Sequence, residues 1–194
     1  MLSLVQTLRE LVATASVNPM GRTGPEGSPA ESALTDYLER LFRRLQIPAQ
    51  RQLAEPGREN LLARVEADPE SGRADTVLLF EAHQDTVPVT GMTVPPFTPE
   101  IREGRLYGRG ACDVKGGMTA MLVALARLHQ ERPKRMPTVI MACSVNEECG
   151  FTGAKAIAAA WREDTATRRR GDTEIEEGER GRGGERETSS DGAG

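Results

Sequence analysis

Two apolar runs with an almost all-round apolar helix between them constrain this chain more than any other feature. Thr76-Val77-Leu78-Leu79-Phe80 leads into Glu81-Ala82-His83, and Thr138 to Val145 forms the second run. A strand with one wet face alternates polar and apolar residues, so runs without alternation predict strands covered on both faces. Between them, Gly116 to His129 carries Met118, Met121, Leu122, Val123, Leu125 and Leu128, the pattern of a buried crossover helix. Strand, crossover helix and strand together predict a parallel α/β sheet.

The flanking segments extend this arrangement. Ser3 with Gln6 makes a capping box ahead of Leu4, Leu8, Leu11 and Val12, predicting a first helix that ends before Asn18-Pro19. Ser28-Pro29-Ala30-Glu31 reads as a second capping box, followed by the stripe Leu34, Tyr37, Leu38, Leu41, Phe42 and Leu45. Strand-like pieces follow at residues 49–53 and 60–65, and residues 101–107, broken by Glu103-Gly104, read as a small hairpin. Gly153 to Trp161 begins an Ala-rich helix. From residue 162 the only large aliphatic is Ile175, among charge runs such as Arg168-Arg169-Arg170. Such a segment buries too little apolar surface to offset its ordering entropy, so residues 162–194 are expected to be a disordered, low-complexity charged tail, with residues 1–161 holding the core. The change falls inside an expected helix, as an out-of-frame or truncated translation product would produce. The nucleotide sequence beyond codon 161 tests that explanation.

Bulk properties remove several function classes. A net charge of −4 leaves no basic footprint for nucleic acid. No 18 apolar residues follow one another and no basic leader precedes an apolar run, so no membrane partner is expected and a cytoplasmic location is. Cys112, Cys143 and Cys149 are odd in number and lack paired spacing, which fits reduced thiols better than a disulfide framework or zinc knuckle.

The residues with chemistry cluster at the ends of the predicted strands, where open α/β sheets place their sites. His83 and Asp85 follow the first apolar strand, two apart and on one side, so His83 can meet a metal while Asp85 takes the other ring N–H. Taken alone, a His-x-Asp triplet fits an ordinary loop equally well. Asp113 lies in a glycine-rich loop, Gly108 to Gly117, where a carboxylate can bridge two cations; a helix-capping Asp is the plain alternative. The glycine spacing matches no nucleotide fingerprint. Glu147 and Glu148 follow the second strand, and two like charges at a crowded strand end require something positive to compensate them.

These residues resemble the zinc-dependent amidohydrolases and peptidases that include acetylornithine deacetylase, succinyl-diaminopimelate desuccinylase and glutamate carboxypeptidases. The resemblance covers roughly residues 1 to 160. It rests on Glu81-Ala82-His83-Gln84-Asp85-Thr86-Val87-Pro88, on Gly104 to Gly117, and on Ser144-Val145-Asn146-Glu147-Glu148, with softer echoes at Ser16-Val17-Asn18-Pro19 and Pro96-Phe97. It implies a three-layer αβα sandwich around a mostly parallel sheet, of the zinc-aminopeptidase type. It also implies hydrolysis of an amide bond in N-acyl amino acids or small peptides at two zinc ions, with cobalt or manganese as alternatives. In this likeness His83 is a ligand of one metal, Asp113 bridges both, and Glu148 binds the second. Asp85 orients His83, and Glu147 is the general base for the attacking water.

The departures shape the expectation too. Members of that family run about as long again, adding a further metal carboxylate, a late metal His and a lid or dimerisation domain, none recognisable here. Asp172 and Glu174 lack a preceding apolar strand, and His129 is expected on an exposed helix surface. Each zinc is left with two protein ligands where catalytic zinc usually keeps three, so weak metal binding is expected. Cys112 and Cys149, each beside a proposed ligand, read as buried small residues. Two classes remain: an amidohydrolase of deacylase or peptidase type, or a catalytically inactive fragment or interaction module with a charged tail.

Overall fold

The structure, a computed structural model, describes residues 1–21, 31–73 and 75–163. Helix α1, Leu4–Ala13, starts where Ser3 Oγ accepts from the Gln6 N–H; the Gln6 side chain turns to Glu10, so only half of the expected box forms. Helix α2, Ser32–Arg44, buries Leu34, Leu38, Leu41 and Phe42 of the expected stripe, with Tyr37 and Leu45 partly buried against the same core. Residues 28–30 of its expected capping box lie outside the described residues. Glu31 caps nothing with its side chain, which is buried and paired with Arg58.

Strands β1 (Ala49–Glu55), β2 (Arg58–Val65) and β3 (Val77–His83) follow. The short hairpin β4 (Glu100–Arg102) and β5 (Arg105–Tyr107) turns on Glu103 and Gly104, both at positive φ, which matches the right-handed twist of the strands they join. Helix α3, Gly116–Glu131, then crosses over to β6, Thr138–Ser144.

The sheet order is β1-β2-β6-β3. The expected parallel pair is there, with β3 beside β6 and His83 opposite Ser144. The expected mostly parallel sheet is not: β1 pairs antiparallel with β2, and β2 antiparallel with β6. For β1 and β2 the reason is connection length. Only two residues separate β1 from β2, enough for a hairpin, whereas parallel neighbours require a crossover of a dozen or more.

Coverage also differs between the two apolar strands. Strand β6, flanked by β2 and β3, is buried along its whole length. Strand β3 ends the row, and Leu78 and Leu79 stay 44% and 39% exposed, so the expectation of a strand covered on both faces holds for β6 alone.

One face of the sheet carries the core. Leu61 and Ala63 of β2, Ala82 of β3 and Val139, Met141 and Cys143 of β6 join Leu11, Leu38, Phe42, Met118, Leu122 and Leu125 from the three helices in one cluster. Losing a fully buried leucine such as Leu122 from such packing costs about 2 to 5 kcal/mol. On the other face Asn60 and Gln52 donate to the carbonyls of Gly153 and Ala156 in a further helical segment, giving a three-layer αβα arrangement.

The chain divides into two compact units, residues 1–156 and 157–194. All the named elements lie in the first. In the second, residues 157–163 are helical, so regular structure continues two residues past the expected boundary at 161. The rest of the expected tail, with Asp172, Glu174 and Ile175, lies outside the described residues. Among the described residues no helix is long and apolar enough to cross a membrane.

Candidate metal centre

Because β3 and β6 run parallel, their carboxyl ends meet at one edge of the sheet. His83 is the last residue of β3, and Glu147 and Glu148 come three and four residues after β6 ends. Asp113 reaches the same place from the loop that enters α3. That loop closes tightly: Gly110 sits at φ +79°, and a Cβ there would lie 2.7 Å from Thr86 Cγ2. Lys115, fully buried, ties the loop to the end of α1 by donating from Nζ to the carbonyls of Leu11 and Thr14 at 2.9 and 2.8 Å. Burial lowers its ammonium pKa to about 7.

Four of the five expected site residues present side-chain donors at this edge. Ligand-capable atoms of His83, Glu147 and Glu148 all lie within 4.8 Å of one another. His83 Nε2 is 3.2 Å from Asp113 Oδ1 and 3.8 Å from Glu147 Oε2. Asp113 is the most open of the four, with a side chain 76% exposed.

Asp85 is the exception. It lies beneath the cluster with its side chain fully buried. The imidazole Nδ1 is 2.9 Å from the backbone carbonyl of Asp85, and the carboxylate is farther away at 3.6 Å. A carbonyl only accepts, so Nδ1 carries the proton and Nε2 is left facing Asp113 and Glu147. The expected orientation of His83 by the Asp85 carboxylate is therefore made mainly by its main chain. The carboxylate turns elsewhere, to the N–H groups of Glu147 and Glu148 at 3.0 Å each and to Asn18 Nδ2 at 2.6 Å.

The electrostatics follow from these contacts. Burial disfavours the His83 imidazolium, but Asp85 and Asp113 outweigh it and raise the pKa to about 9. Burial works against the Asp85 carboxylate too. His83, Asn18 and the two backbone N–H groups prevail and lower its pKa to about 2. Glu148 is raised, by burial first and by the negative charges of Asp113, Glu147 and Asp85, with His83 opposing. Crowded carboxylates around one imidazole are a donor set that divalent cations take, so His83, Glu147 and Glu148 could hold a metal at this edge, with Asp113 beside His83.

A buried polar layer lies under these donors that the motifs did not reveal. Asn18 bonds both Asp85 and Asn146 Oδ1, the latter at 3.0 Å. Asn146, in the left-handed conformation that asparagine tolerates, turns the chain from β6 toward Glu147, and its N–H donates to Glu31. Glu31 in turn is paired with Arg58. The only signals for this layer were the Asn18-Pro19 stop after α1 and the Asn146 that precedes the acidic pair.

His129 is half-buried, not exposed. Cys112 is exposed and Cys149 partly exposed, so neither is a buried filler, and all three cysteines are free.

Residues 79–185 match the model of peptidase family M20/M25/M40. The chain belongs to that family. A succinyl-diaminopimelate desuccinylase of Methylorubrum extorquens is 41% identical over 113 residues, 56% of this chain and 28% of that one. The crystal structure of a tripeptidase from Staphylococcus aureus superposes with a TM-score of 0.59 at 26% identity, covering 79% of this chain and 38% of that one. A Bacillus subtilis protein of the M20 family, described as a dinuclear metal-binding peptidase, superposes with a TM-score of 0.56 at 18% identity, covering 81% of this chain and 38% of its own, and so shares the fold. This M20 chain thus spans between 28% and 38% of the length of these relatives.

Proposed function

We propose that this chain carries part of a two-metal amide hydrolase centre that cleaves N-acyl amino acids or small peptides. The observation that carries the reading is the convergence of His83, Glu147 and Glu148, with Asp113 beside them, at the shared carboxyl edge of β3 and β6. His83, Asp113 and Glu148 would hold the metals, Asp113 from the position nearest His83 Nε2. Zinc is the expected ion, with cobalt or manganese as substitutes. When bound, such a pair polarises the amide carbonyl and acidifies the attacking water.

The chain's own residues divide the remaining work. Glu147, with 39% of its side chain open to solvent, is reachable by substrate and takes the proton from the attacking water. Asp85 and its N–H partners hold Glu147 and Glu148 at the edge. A carboxylate-bearing N-acyl amino acid is the substrate class favoured by the desuccinylase likeness. In this reading residues 1–161 are the first part of a longer catalytic domain and residues 162–194 a separate charged segment. A cytoplasmic site of action accords with three free cysteines.

The competing reading, an inactive fragment or interaction module, rests on the small number of protein donors per metal among the described residues. One pair of measurements separates the two. The hydrolase reading expects two metal ions per chain and turnover of N-acyl amino acids that Glu147→Gln abolishes while the metals stay bound. A chain with no bound metal and no turnover removes the hydrolase reading.

A further inference from the structure

We propose that Asn18 is a positioning residue of this site, acting through Asp85 and Asn146 to set the turn that presents Glu147 and Glu148. Asn18 lies 67 residues from Asp85 and 128 from Asn146, yet is fully buried against both. Both protons of its Nδ2 are spent, on Asp85 Oδ2 at 2.6 Å and on Asn146 Oδ1 at 3.0 Å, while its Oδ1 accepts from the Met20 N–H at 2.8 Å. An amide with all these places taken has one orientation and cannot flip without leaving buried groups unpaired. Its backbone is fixed as well, since the Asn18 N–H donates to the Thr86 carbonyl at 2.8 Å and Thr86 N–H to Ser16 at 3.0 Å. The segment after α1 is thereby locked to the segment that carries His83 and Asp85.

Asp85 Oδ2 accepts from Asn18 and from the Glu148 N–H, and Oδ1 accepts from the Glu147 N–H. One carboxylate thus grips two successive amides of the acidic turn, and Asn18 fixes the carboxylate. Asn18 also holds Asn146, the residue whose left-handed backbone starts the same turn. The Asn18 amide therefore touches both supports of Glu147 and Glu148 and neither of those residues directly. A residue needed only to fill a core position would serve better as an apolar side chain, because a fully buried amide gains nothing unless its partners need it.

The proposal concerns the same site as the hydrolase reading, but its test does not depend on turnover. Backbone amide hydrogen exchange is measured on the full chain, metal-free, for the unaltered protein, Asn18→Ala and Asn18→Ser. Losing a buried hydrogen-bond partner is worth about one order of magnitude in local opening. Asn18→Ala is expected to speed exchange at the Glu147 and Glu148 amides about tenfold while Met141 in β6 changes less than about twofold, and Asn18→Ser, which keeps one donor, to fall between. Zinc affinity, read by competition with a chromophoric chelator, is expected to drop about 10- to 100-fold in Asn18→Ala, the usual cost of a lost supporting contact. Unchanged exchange at Glu147 and Glu148, or equal acceleration at Met141, overturns the proposal. If Asn18→Ala does not fold, Asn18→Ser decides by the same ratio. Loss of the hydrolase reading through absent turnover would leave the exchange result standing.

Discussion

The site has an exposed tier and a buried tier, and they are built on opposite rules. Above, His83 Nε2, Asp113, Glu147 and Glu148 bring one imidazole and three carboxylates together with few N–H or O–H groups to balance them. Below, Asn18, Asp85, Asn146, Glu31 and Arg58 form a chain in which nearly every polar group is answered by another. The upper tier is short of positive charge and open to solvent, which suits a cation that arrives from outside. The lower tier is largely buried and hydrogen-bonded within itself, which suits parts that must not move. The lesson is that the donors' precision comes from groups that never face the ligand.

Breaking the lower tier is expected to have the largest effect. Arg58→Ala strands the buried Glu31 carboxylate and should cost about 3 to 5 kcal/mol of unfolding free energy in urea titrations near neutral pH. Burial already raises the Glu31 pKa despite Arg58, so the loss should shrink in acid, where the carboxyl becomes neutral. A loss that is small and independent of pH would show that the ion pair is not what holds this tier.

Breaking the upper tier should be felt above all in binding. His83→Ala removes a ligand outright and should weaken zinc binding by more than about 100-fold, beyond the range for supporting contacts. Calorimetric titration of the metal-free protein checks this, and an unaltered affinity would exclude His83 from the centre.

The contrast sharpens with pH, because His83 and Asp85 straddle the two tiers. The folded pKa of His83 is raised to about 9, so its contribution to metal-free stability is full below its unfolded value near 6.5 and is lost as pH rises through about 9. The folded pKa of Asp85 is lowered to about 2, so its contribution is present above its ordinary value near 4 and is lost as pH falls through about 2. The difference in melting temperature between the unaltered protein and His83→Gln should accordingly be largest near pH 6 and vanish above about pH 9. Taking the difference removes Lys115, whose lowered pKa of about 7 makes stability rise with pH above that point. A constant difference across this range would mean the imidazolium is not held by Asp85 and Asp113.

The smallest effect is expected at Asp113. With a side chain this open, Asp113→Asn should change stability by less than about 0.5 kcal/mol while lowering the number of metal ions bound.

The two tiers were also unequally legible. His83, Asp113, Glu147 and Glu148 announce themselves because each is a charged residue at the end of an apolar run or inside a glycine loop, and local context suffices to place them. Asn18, Glu31, Arg58 and Lys115 act on partners far along the chain, and an asparagine beside a proline or a glutamate opening a helix has an ordinary local explanation. Lys115 sits inside a recognised motif, yet its task, reaching back to Leu11 and Thr14, is visible only once α1 and the loop are packed together. The fold shows the same divide. The helices and the strand–helix–strand unit follow from periodicity, whereas the antiparallel placement of β2 against β6 does not, since pattern records which residues are buried and not which way a strand runs.

Strand β3 ends the described sheet, and its outer row of N–H and C=O groups leads directly to His83. Such a row is a template for strand addition. A segment that paired along the whole of β3 would have one end of its ladder beside His83, so the edge of the sheet and the edge of the site are the same place.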